Sequence, residues 1–298
     1  MTLFQLLTEG ARTLEQAGSP DAQIDAQQLL LAAFHLDTVH FLLNRMQELK
    51  DNEDNRSAIG TYRDMIARRA GRCPLQQILG VQEFMGLDFY VNEHVLIPRQ
   101  DTETLVELVL EEQCKGNAGK RLSLLDLCTG SGCIAVSLAV KGSFSQVTAT
   151  DISEEALKVA KRNREALLES GPDGAPVQFE FYQGDLFEAL PKDGRRYDVI
   201  TSNPPYIPTA VIRTLEPEVR DHEPILALDG TADGVYYYRR IADQAKNYLT
   251  QGGALYLEIG YDQGELVSRL LEEQGFGQVR VCRDLAGKDR VVCARCPE

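Results

Sequence analysis

The sequence predicts an α/β protein in which a mostly parallel sheet of seven strands follows a small, all-helical N-terminal domain. From residue 122 onward, short apolar runs alternate with longer amphipathic segments, which is the pattern of parallel strands joined by crossover helices. Residues 1–72 instead show helical periodicity alone. The chain has 298 residues, which is long enough for one full α/β domain and a second, smaller one.

Composition and charge narrow the classes of function. The hydrophobic share of 43% and the charged share of 26% are typical of a soluble globular protein. We find no apolar run of about 18 residues and no basic N-terminus leading into an apolar core, so we predict neither a membrane span nor a secretory signal. The formal net charge of −14 disfavours nucleic acid as a partner, because protein–DNA affinity comes largely from Lys and Arg that neutralise phosphates.

The cysteines favour a reducing compartment. There are seven of them, an odd number without the spacing of a disulfide framework, so we predict free thiols and a cytoplasmic location. Cys293 and Cys296 form a C-x-x-C pair, but no second pair and no histidine lies nearby. We therefore predict no metal site.

Residues 1–72 are predicted to form a helical domain. Thr2 suits the N-cap of the first helix, and Ser19 followed by Pro20 is expected to start the second. Pro74 is expected to end the helical region. The region carries no cluster of catalytic residue types, so we predict a substrate-docking role. Its later helices are predicted over 38–49 and 54–70.

Residues 73–98 are predicted to link the two domains through a β-hairpin. The run 84–91 has the residue types of two short strands, with the turn at Gly86. Arg99 and Glu103 follow at the start of a helix that is expected to extend to about residue 113. Both are candidates to border a substrate pocket.

Residues 99–298 are predicted to be the catalytic domain. A long loop is expected over 207–233. The strands are predicted over 122–127, 146–150, 177–182, 197–201, 253–259, 278–284 and 289–295. The helices are predicted over 101–113, 133–141, 153–169, 236–249 and 263–274.

The first four predicted strands each end in a polar group. Asp126 closes the first strand ahead of a glycine-rich turn, and Asp151, Asp185 and Asn203 follow the next three. The carboxyl ends of parallel strands meet at one edge of a sheet, and ligands bind there in open α/β folds. We therefore expect these four side chains to border one site.

The glycine-rich turn is compatible with two kinds of ligand. Gly130, Gly132 and Ala135 fit the relaxed G-x-G-x-x-A pattern of dinucleotide-binding enzymes, so a nicotinamide or flavin oxidoreductase is one candidate. Asp151 lies 19 residues after Gly132, which suits acceptance of ribose hydroxyls by its carboxylate in either case. Several carboxylates around a cationic ligand are electrostatically favourable, whereas around two phosphates they are not. S-adenosylmethionine offers a ribose, an adenine, an ammonium and a sulfonium, and so it is the better fit.

The stretch Asn203-Pro204-Pro205-Tyr206 predicts a site that holds a planar NH2 group. The side-chain oxygen of Asn203 and the carbonyl of Pro204 can each accept one of its hydrogens, while Tyr206 can cover its π-face. Two fixed acceptors draw the nitrogen toward tetrahedral geometry and aim its lone pair at an electrophile. A proline-stiffened surface turn is the alternative interpretation of these four residues.

Two sets of motifs resemble known families. The run 126–132 followed by Asn203-Pro204-Pro205-Tyr206 resembles class I S-adenosylmethionine-dependent amino-methyltransferases. Over essentially the whole chain, the sequence is similar to the peptide chain release factor glutamine N5-methyltransferase family. The segments that carry this closer resemblance are 74–80, 96–103, 203–208 and 223–230.

The resemblance implies a Rossmann-like class I methyltransferase fold and a reaction. A methyl group would pass from S-adenosylmethionine to the side-chain amide nitrogen of the glutamine in the Gly-Gly-Gln motif of class I release factors, leaving S-adenosylhomocysteine. The residues implied at the donor are Asp126, Leu127, Cys128, Thr129, Gly130, Gly132, Asp151, Ile152, Asp185, Leu186 and Asn203. Those implied at the glutamine are Asn203, Pro204, Pro205, Tyr206, Arg99 and Glu103, with Asn203, Pro204 and Tyr206 as the catalytic set.

Two residues depart from the family pattern. Cys128 stands where the family often has glycine, and we expect it to be tolerated through a φ below zero. Leu186 stands where an aromatic side chain can cover the adenine, and we expect Phe187 to compensate. The alternative function is methylation of N6 of adenine, or of another exocyclic amine of a nucleic acid, with a flipped base in the same site.

Overall fold

The computed structural model describes residues 1–114 and 121–297, which divide into two compact units. The first unit comprises Met1–Gly80 together with Glu216–His222. The second comprises Val81–Leu215 and the chain from Glu223 onward. No helix in these described ranges is both long enough and apolar enough to cross a membrane.

The units differ in detail from the predicted domains. Residues 73–80 belong to the first unit, and the hairpin belongs to the second. A segment from the predicted loop over 207–233 also belongs to the first unit. The domain boundaries predicted after residues 72 and 98 stay predictions.

The first unit is built from helices. Leu6, Leu14, Leu29 and Leu30 are fully buried between them. Its helices are α1 (Leu3–Gln16), α2 (Ala22–Ala33), α3 (Thr38–Asn44), α4 (Glu53–Ala70), α5 (Leu75–Leu79) and, from later in the chain, Pro217–His222.

The helix ends confirm one prediction and correct two. The Oγ1 of Thr2 accepts a hydrogen bond from the backbone N–H of Gln5 at 3.1 Å, so the predicted cap is present. The second helix begins at Ala22 with Asp21 at its N-cap, not at Ser19. Pro74 does not end the helical region but stands at the N-cap of α5, where a missing N–H leaves no intrahelical bond unmade.

An ion-pair network attaches the late helix Pro217–His222 to the rest of the first unit. This helix buries none of its own residues, so apolar packing does not hold it. Arg69 and Arg72 instead donate to the carboxylate of Glu218 at 3.0 and 2.6 Å. Arg69 also donates to Asp25 at 2.6 Å, so its buried charge is paired on both sides.

The second unit carries the sheet. Its first two strands pair antiparallel around Met85 and Gly86, which confirms the predicted hairpin. The strands are β1 (Val81–Phe84), β2 (Leu87–Tyr90), β3 (Leu122–Leu127), β4 (Phe144–Asp151), β5 (Gln178–Gln183), β6 (Tyr197–Ser202), β7 (Leu249–Glu258), β8 (Gly277–Arg283) and β9 (Asp289–Arg295). The α-helices that follow α5 are α6 (Gln100–Val109), α7 (Cys133–Lys141), α8 (Glu154–Leu167), α9 (Thr209–Ile212), α10 (Pro217–His222, of the first unit), α11 (Ile225–Leu228), α12 (Tyr236–Gln244) and α13 (Gly264–Glu273).

The seven predicted strands form one sheet in the order β5-β4-β3-β6-β7-β9-β8. The pairs from β5 through β7 are parallel, and β9 pairs antiparallel with both β7 and β8. The strand order runs outward in both directions from β3, so a ligand crevice is expected above the carboxyl ends of β3 and its neighbours. The predicted fold, a mostly parallel seven-stranded sheet after a helical region, is confirmed.

Alternating side chains of the central strands fill a core on each face of the sheet. Leu124 and Val199 belong to one apolar cluster, while Leu125 and Ile200 belong to the other. This alternation follows from the two-residue period of a strand. Asp126 shares the face of Leu124, which places its carboxyl beneath the turn that follows β3.

Candidate active site

The register of the parallel strands brings the predicted polar groups to one edge. Leu127, near the end of β3, pairs with Thr150 of β4 and with Ser202 of β6. Asp151 pairs in turn with Gln183 at the end of β5. The residues that follow these positions therefore border a common cleft, which encloses about 1010 Å³ of empty space, part of it open to solvent.

Some predicted site residues line this cleft and others do not. Those that line it are Arg99, Cys128, Thr129, Gly130, Asp151, Ile152, Asp185, Leu186, Asn203 and Pro205. Those that are not part of its lining are Glu103, Asp126, Leu127, Gly132, Pro204 and Tyr206. Ligand contacts by either set stay predictions.

The glycine turn after β3 presents backbone to the cleft. The N–H of Gly130 donates to Oδ2 of Asp151 at 2.8 Å, and the N–H of Thr129 donates to the carbonyl of Thr150 at 2.9 Å. Gly130 has a φ of +54°, and a Cβ on it would meet no protein atom within 4 Å. The turn is therefore tied to the end of β4 and leaves room for a ligand beside its backbone.

Asp151 is held from two directions. Its Oδ2 accepts from Gly130, and its Oδ1 accepts from the N–H of Ser153 at 2.9 Å. Burial raises the pKa of Asp151, and the N–H groups of Ser153 and Gly130 act in the opposite direction. Each oxygen keeps a further lone pair, so this carboxylate can still accept ligand hydroxyls.

Asp126 lies behind the turn rather than in the cleft wall. It is fully buried, and its two oxygens accept from the hydroxyls of Thr129 at 2.6 Å and Thr201 at 2.7 Å. Burial raises the pKa of Asp126 to about 7, against these two hydrogen bonds, which lower it. The carboxyl fixes the turn to β6, and its predicted contact with a ligand ammonium stays a prediction.

The residues near the predicted adenine position differ from those that we expected there. Phe187 is buried and stacks on Tyr248 with ring centroids 4.7 Å apart, so the prediction that it compensates for Leu186 is wrong. Leu186 itself lines the cleft, and so does Tyr237, which the sequence did not single out. Three consecutive tyrosines begin α12, and only the fold shows which of them faces the cleft. Arg240 donates to Asp185 at 2.7 Å, so this carboxylate has a protein partner.

Close contacts at the carbonyl of Tyr206 fix the position of the Asn-Pro-Pro-Tyr segment. Asn203 and Pro205 line the cleft. The carbonyl of Tyr206 accepts from Nε2 of Gln263 at 3.1 Å. A Cβ on Gly234 would lie 2.4 Å from that same carbonyl oxygen, so only glycine allows this approach.

Arg99 and Glu103, the two candidates before the sheet, have different partners. The Nη2 of Arg99 donates to both oxygens of Glu223 at 2.7 and 2.8 Å. This pair fixes the start of the segment whose Pro224 and Leu226 also line the cleft. Glu103 accepts from the N–H of Met85 at 2.5 Å and so stabilises the hairpin turn.

The backbone of Cys128 contradicts our expectation. Its φ is +56°, not below zero, because the turn after β3 must bend toward Thr150 within one residue. A non-glycine residue in this region is strained. Among the described residues, no group of three His, Cys, Asp or Glu side chains could hold a metal ion.

Because the φ of Cys128 is positive, we expect glycine at this position to give a more stable protein than alanine. At a φ below zero, alanine stabilises a protein relative to glycine, and at a positive φ it destabilises. We therefore expect Cys128→Gly to unfold with a free energy about 1 kcal/mol larger than Cys128→Ala. Urea unfolding of both variants measures this difference. A more stable alanine variant would contradict the positive φ.

The sheet has the strand order of the class I methyltransferase fold, and the match to a methyltransferase family model assigns the chain to the S-adenosylmethionine-dependent methyltransferases. Residues 118–289 match the family model of a methyltransferase domain, and residues 5–80 match that of the PrmC N-terminal domain. A solved methyltransferase from Pyrococcus furiosus is 17% identical, with a TM-score of 0.51 over 82% of this chain and 99% of that one. That likeness shows the fold.

The sequence comparisons identify the family. The release factor glutamine methyltransferase of Geobacter sulfurreducens is 43% identical over 95% of this chain and 92% of its own length. That of Clostridium botulinum is 39% identical over 99% of both chains. The chain belongs to the release factor glutamine methyltransferase family. The predicted family and enzyme class are confirmed, and glutamine methylation is favoured over both the nucleic-acid and the oxidoreductase alternatives.

Proposed function

We propose that this protein methylates N5 of the glutamine in the Gly-Gly-Gln motif of class I peptide chain release factors, with S-adenosylmethionine as the donor and S-adenosylhomocysteine as the product. Membership of the family supports the proposal. The observation that carries it is that Asn203 lines the same cleft as Asp151 and Gly130. The amide proposed to bind the glutamine and the carboxylate proposed to bind the ribose both belong to residues that line this cleft.

The donor half of the cleft fits S-adenosylmethionine by the chemistry of its residues. When bound, this molecule supplies an electrophilic methyl group. Asp151 would accept hydrogen bonds from its ribose, and the open space beside Gly130 would admit its amino acid portion. Ile152, which is 52% exposed, and Leu186 offer apolar surface for the adenine.

The acceptor half would orient the glutamine amide. The Oδ1 of Asn203 and the carbonyl of Pro204 would each accept one N–H, and the ring of Tyr206 would cover the amide plane. No strong base is needed, because the nitrogen sheds its proton readily once it is methylated. The rate would come from orientation and from electrostatics.

Two further parts of the proposal concern the rest of the chain. Arg99 and Glu223 would keep the segment from Pro224 onward in place at the substrate side of the cleft. Residues 1–72 would dock the release factor. A cytoplasmic location is included because all seven cysteines are free thiols.

One assay tests the proposed function. Purified protein is incubated with methyl-labelled S-adenosylmethionine and a class I release factor, beside the release factor with its motif glutamine replaced by alanine and beside duplex DNA. Label should appear in the unaltered release factor alone. Label in the DNA, or equal label in the alanine variant, would contradict the proposal.

A further inference from the structure

A buried carboxyl lies beside Asn203 at the end of the neighbouring strand. Ser202 of β6 pairs with Leu257 of β7, so the residues that follow, Asn203 and Glu258, are also neighbours. Glu258 is 1% exposed. The side chains of Thr102 and Asn203 act on this carboxyl and lower its pKa. Oε2 of Glu258 has no hydrogen-bond partner in the part of the chain that the structure describes.

The orientation of the Asn203 amide needs such a neighbour. The oxygen and nitrogen ends of an asparagine side chain have nearly the same shape, and only the oxygen can accept a hydrogen from a substrate amide. An ionised carboxylate is an acceptor only, so it binds the nitrogen end and repels the oxygen end. A protonated carboxyl can instead donate to the oxygen end and removes this preference.

We propose that Glu258 is a positioning residue that holds Nδ2 of Asn203 toward itself and thereby directs Oδ1 of Asn203 into the cleft. The inference rests on the proposed function, since it explains how the amide acceptor of that reaction is oriented. Glu258 is not part of the cleft lining, so it acts through Asn203 rather than on the substrate.

Arg290 favours the ionised form of Glu258, but its ion pairs are formed with other carboxylates. Arg290 of β9 pairs with Asp284 at 3.0 Å and with Asp101 of α6 at 2.9 Å. The guanidinium therefore already has two carboxylate partners, and Asp101 itself disfavours a charge on Glu258. Among the described residues, Tyr206, Tyr238 of α12 and Cys133 of α7 also interact electrostatically with this carboxyl.

The surroundings of Glu258 set the pH range in which its carboxylate can orient the Asn203 amide. Burial raises the pKa of Glu258 to about 7, while hydrogen bonds from Thr102 and the charge of Arg290 lower it. The carboxylate form therefore dominates above this pH and disappears below it. Turnover should fall as the pH decreases through about 7, because protonation releases the Asn203 amide.

The test compares turnover of the wild type and Glu258→Gln at saturating donor and release factor between about pH 6 and pH 9. We expect wild-type kcat to decrease as the pH falls below the pKa and to level off near the kcat of Glu258→Gln. Glu258→Gln should lower kcat at high pH by roughly 10- to 100-fold and abolish the decrease at low pH. Its Kd for S-adenosylmethionine should stay within about twofold, since Glu258 does not line the cleft.

Two further variants separate positioning from structure. Glu258→Asp keeps the charge but shortens the side chain, so it should retain the decrease at low pH and have a partly reduced kcat. Glu112→Gln removes a partly buried carboxylate that pairs with Arg280 and Tyr256, and it should keep the wild-type pH profile.

Three results would overturn the inference. Wild-type kcat without a decrease near pH 7 would do so even if Glu258→Gln fails to fold. Wild-type turnover in Glu258→Gln would also do so. A decrease at low pH that survives in Glu258→Gln would belong to another group, such as Asp126, whose pKa is also about 7. Failure of the wild type to methylate the release factor at any pH would instead refute the proposed function.

Discussion

Asn203→Ala should lower turnover by roughly 10²-fold or more while leaving donor binding nearly intact. The variant removes one of the two acceptors that orient the glutamine amide. Asn203 lines the cleft but follows β6, whereas the glycine turn follows β3 and Asp151 is the last residue of β4. Its loss should therefore affect the reacting nitrogen and spare most contacts of the donor.

The measurement combines kcat for release factor methylation with a calorimetric Kd for S-adenosylmethionine. Asn247→Ala, which changes an exposed asparagine of the same unit, is the control and should match the wild type in both quantities. Unchanged turnover in Asn203→Ala would remove this residue from the mechanism. A large loss of donor affinity would place Asn203 at the donor instead.

Asp151→Ala should weaken donor binding by about 1.5–3 kcal/mol, the typical contribution of charge-assisted hydrogen bonds. The variant loses the predicted acceptor for the ribose hydroxyls. It also leaves the N–H of Gly130 and the N–H of Ser153 without their acceptor, so the turn after β3 loses its tie to β4. The structure therefore favours the upper part of this range.

Calorimetric titration with S-adenosylmethionine checks this second prediction. Asp243→Ala changes an exposed carboxylate of the same unit and should bind the donor as the wild type does. An unchanged Kd for Asp151→Ala would count against the ribose assignment. A thermal unfolding curve for each variant shows whether weaker donor binding comes from the lost donor contacts or from unfolding of the protein.

Elements with strong local patterns were predicted from the sequence with correct ends. The apolar run 122–127 and the helix over 133–141 coincide with β3 (Leu122–Leu127) and α7 (Cys133–Lys141). A few consecutive residues are enough to show the periodicity of a strand or a helix and the glycines of a turn. Such elements can therefore be predicted without knowledge of the surrounding fold.

Elements that depend on partners far along the chain were missed. The predicted loop over 207–233 contains α9, α10 and α11, which have four to six residues each. Helices this short are unstable alone, because nucleation outweighs so few hydrogen bonds. The pairs of Glu218 with Arg69 and Arg72 stabilise α10, and those residues lie more than a hundred positions earlier.

By itself, the sequence determined the fold class and the family of this protein, and it indicated which residues follow the carboxyl ends of the strands. The tertiary structure decided how those residues are used: a positive φ at Cys128, a core position for Phe187, a cleft position for Tyr237, and Glu258 beside Asn203. The physical reason is that strand order and register bring together residues distant in sequence. The local sequence pattern determines whether a segment forms a helix or a strand. The neighbouring strands of the sheet determine which residues contact the side chain at the end of that strand.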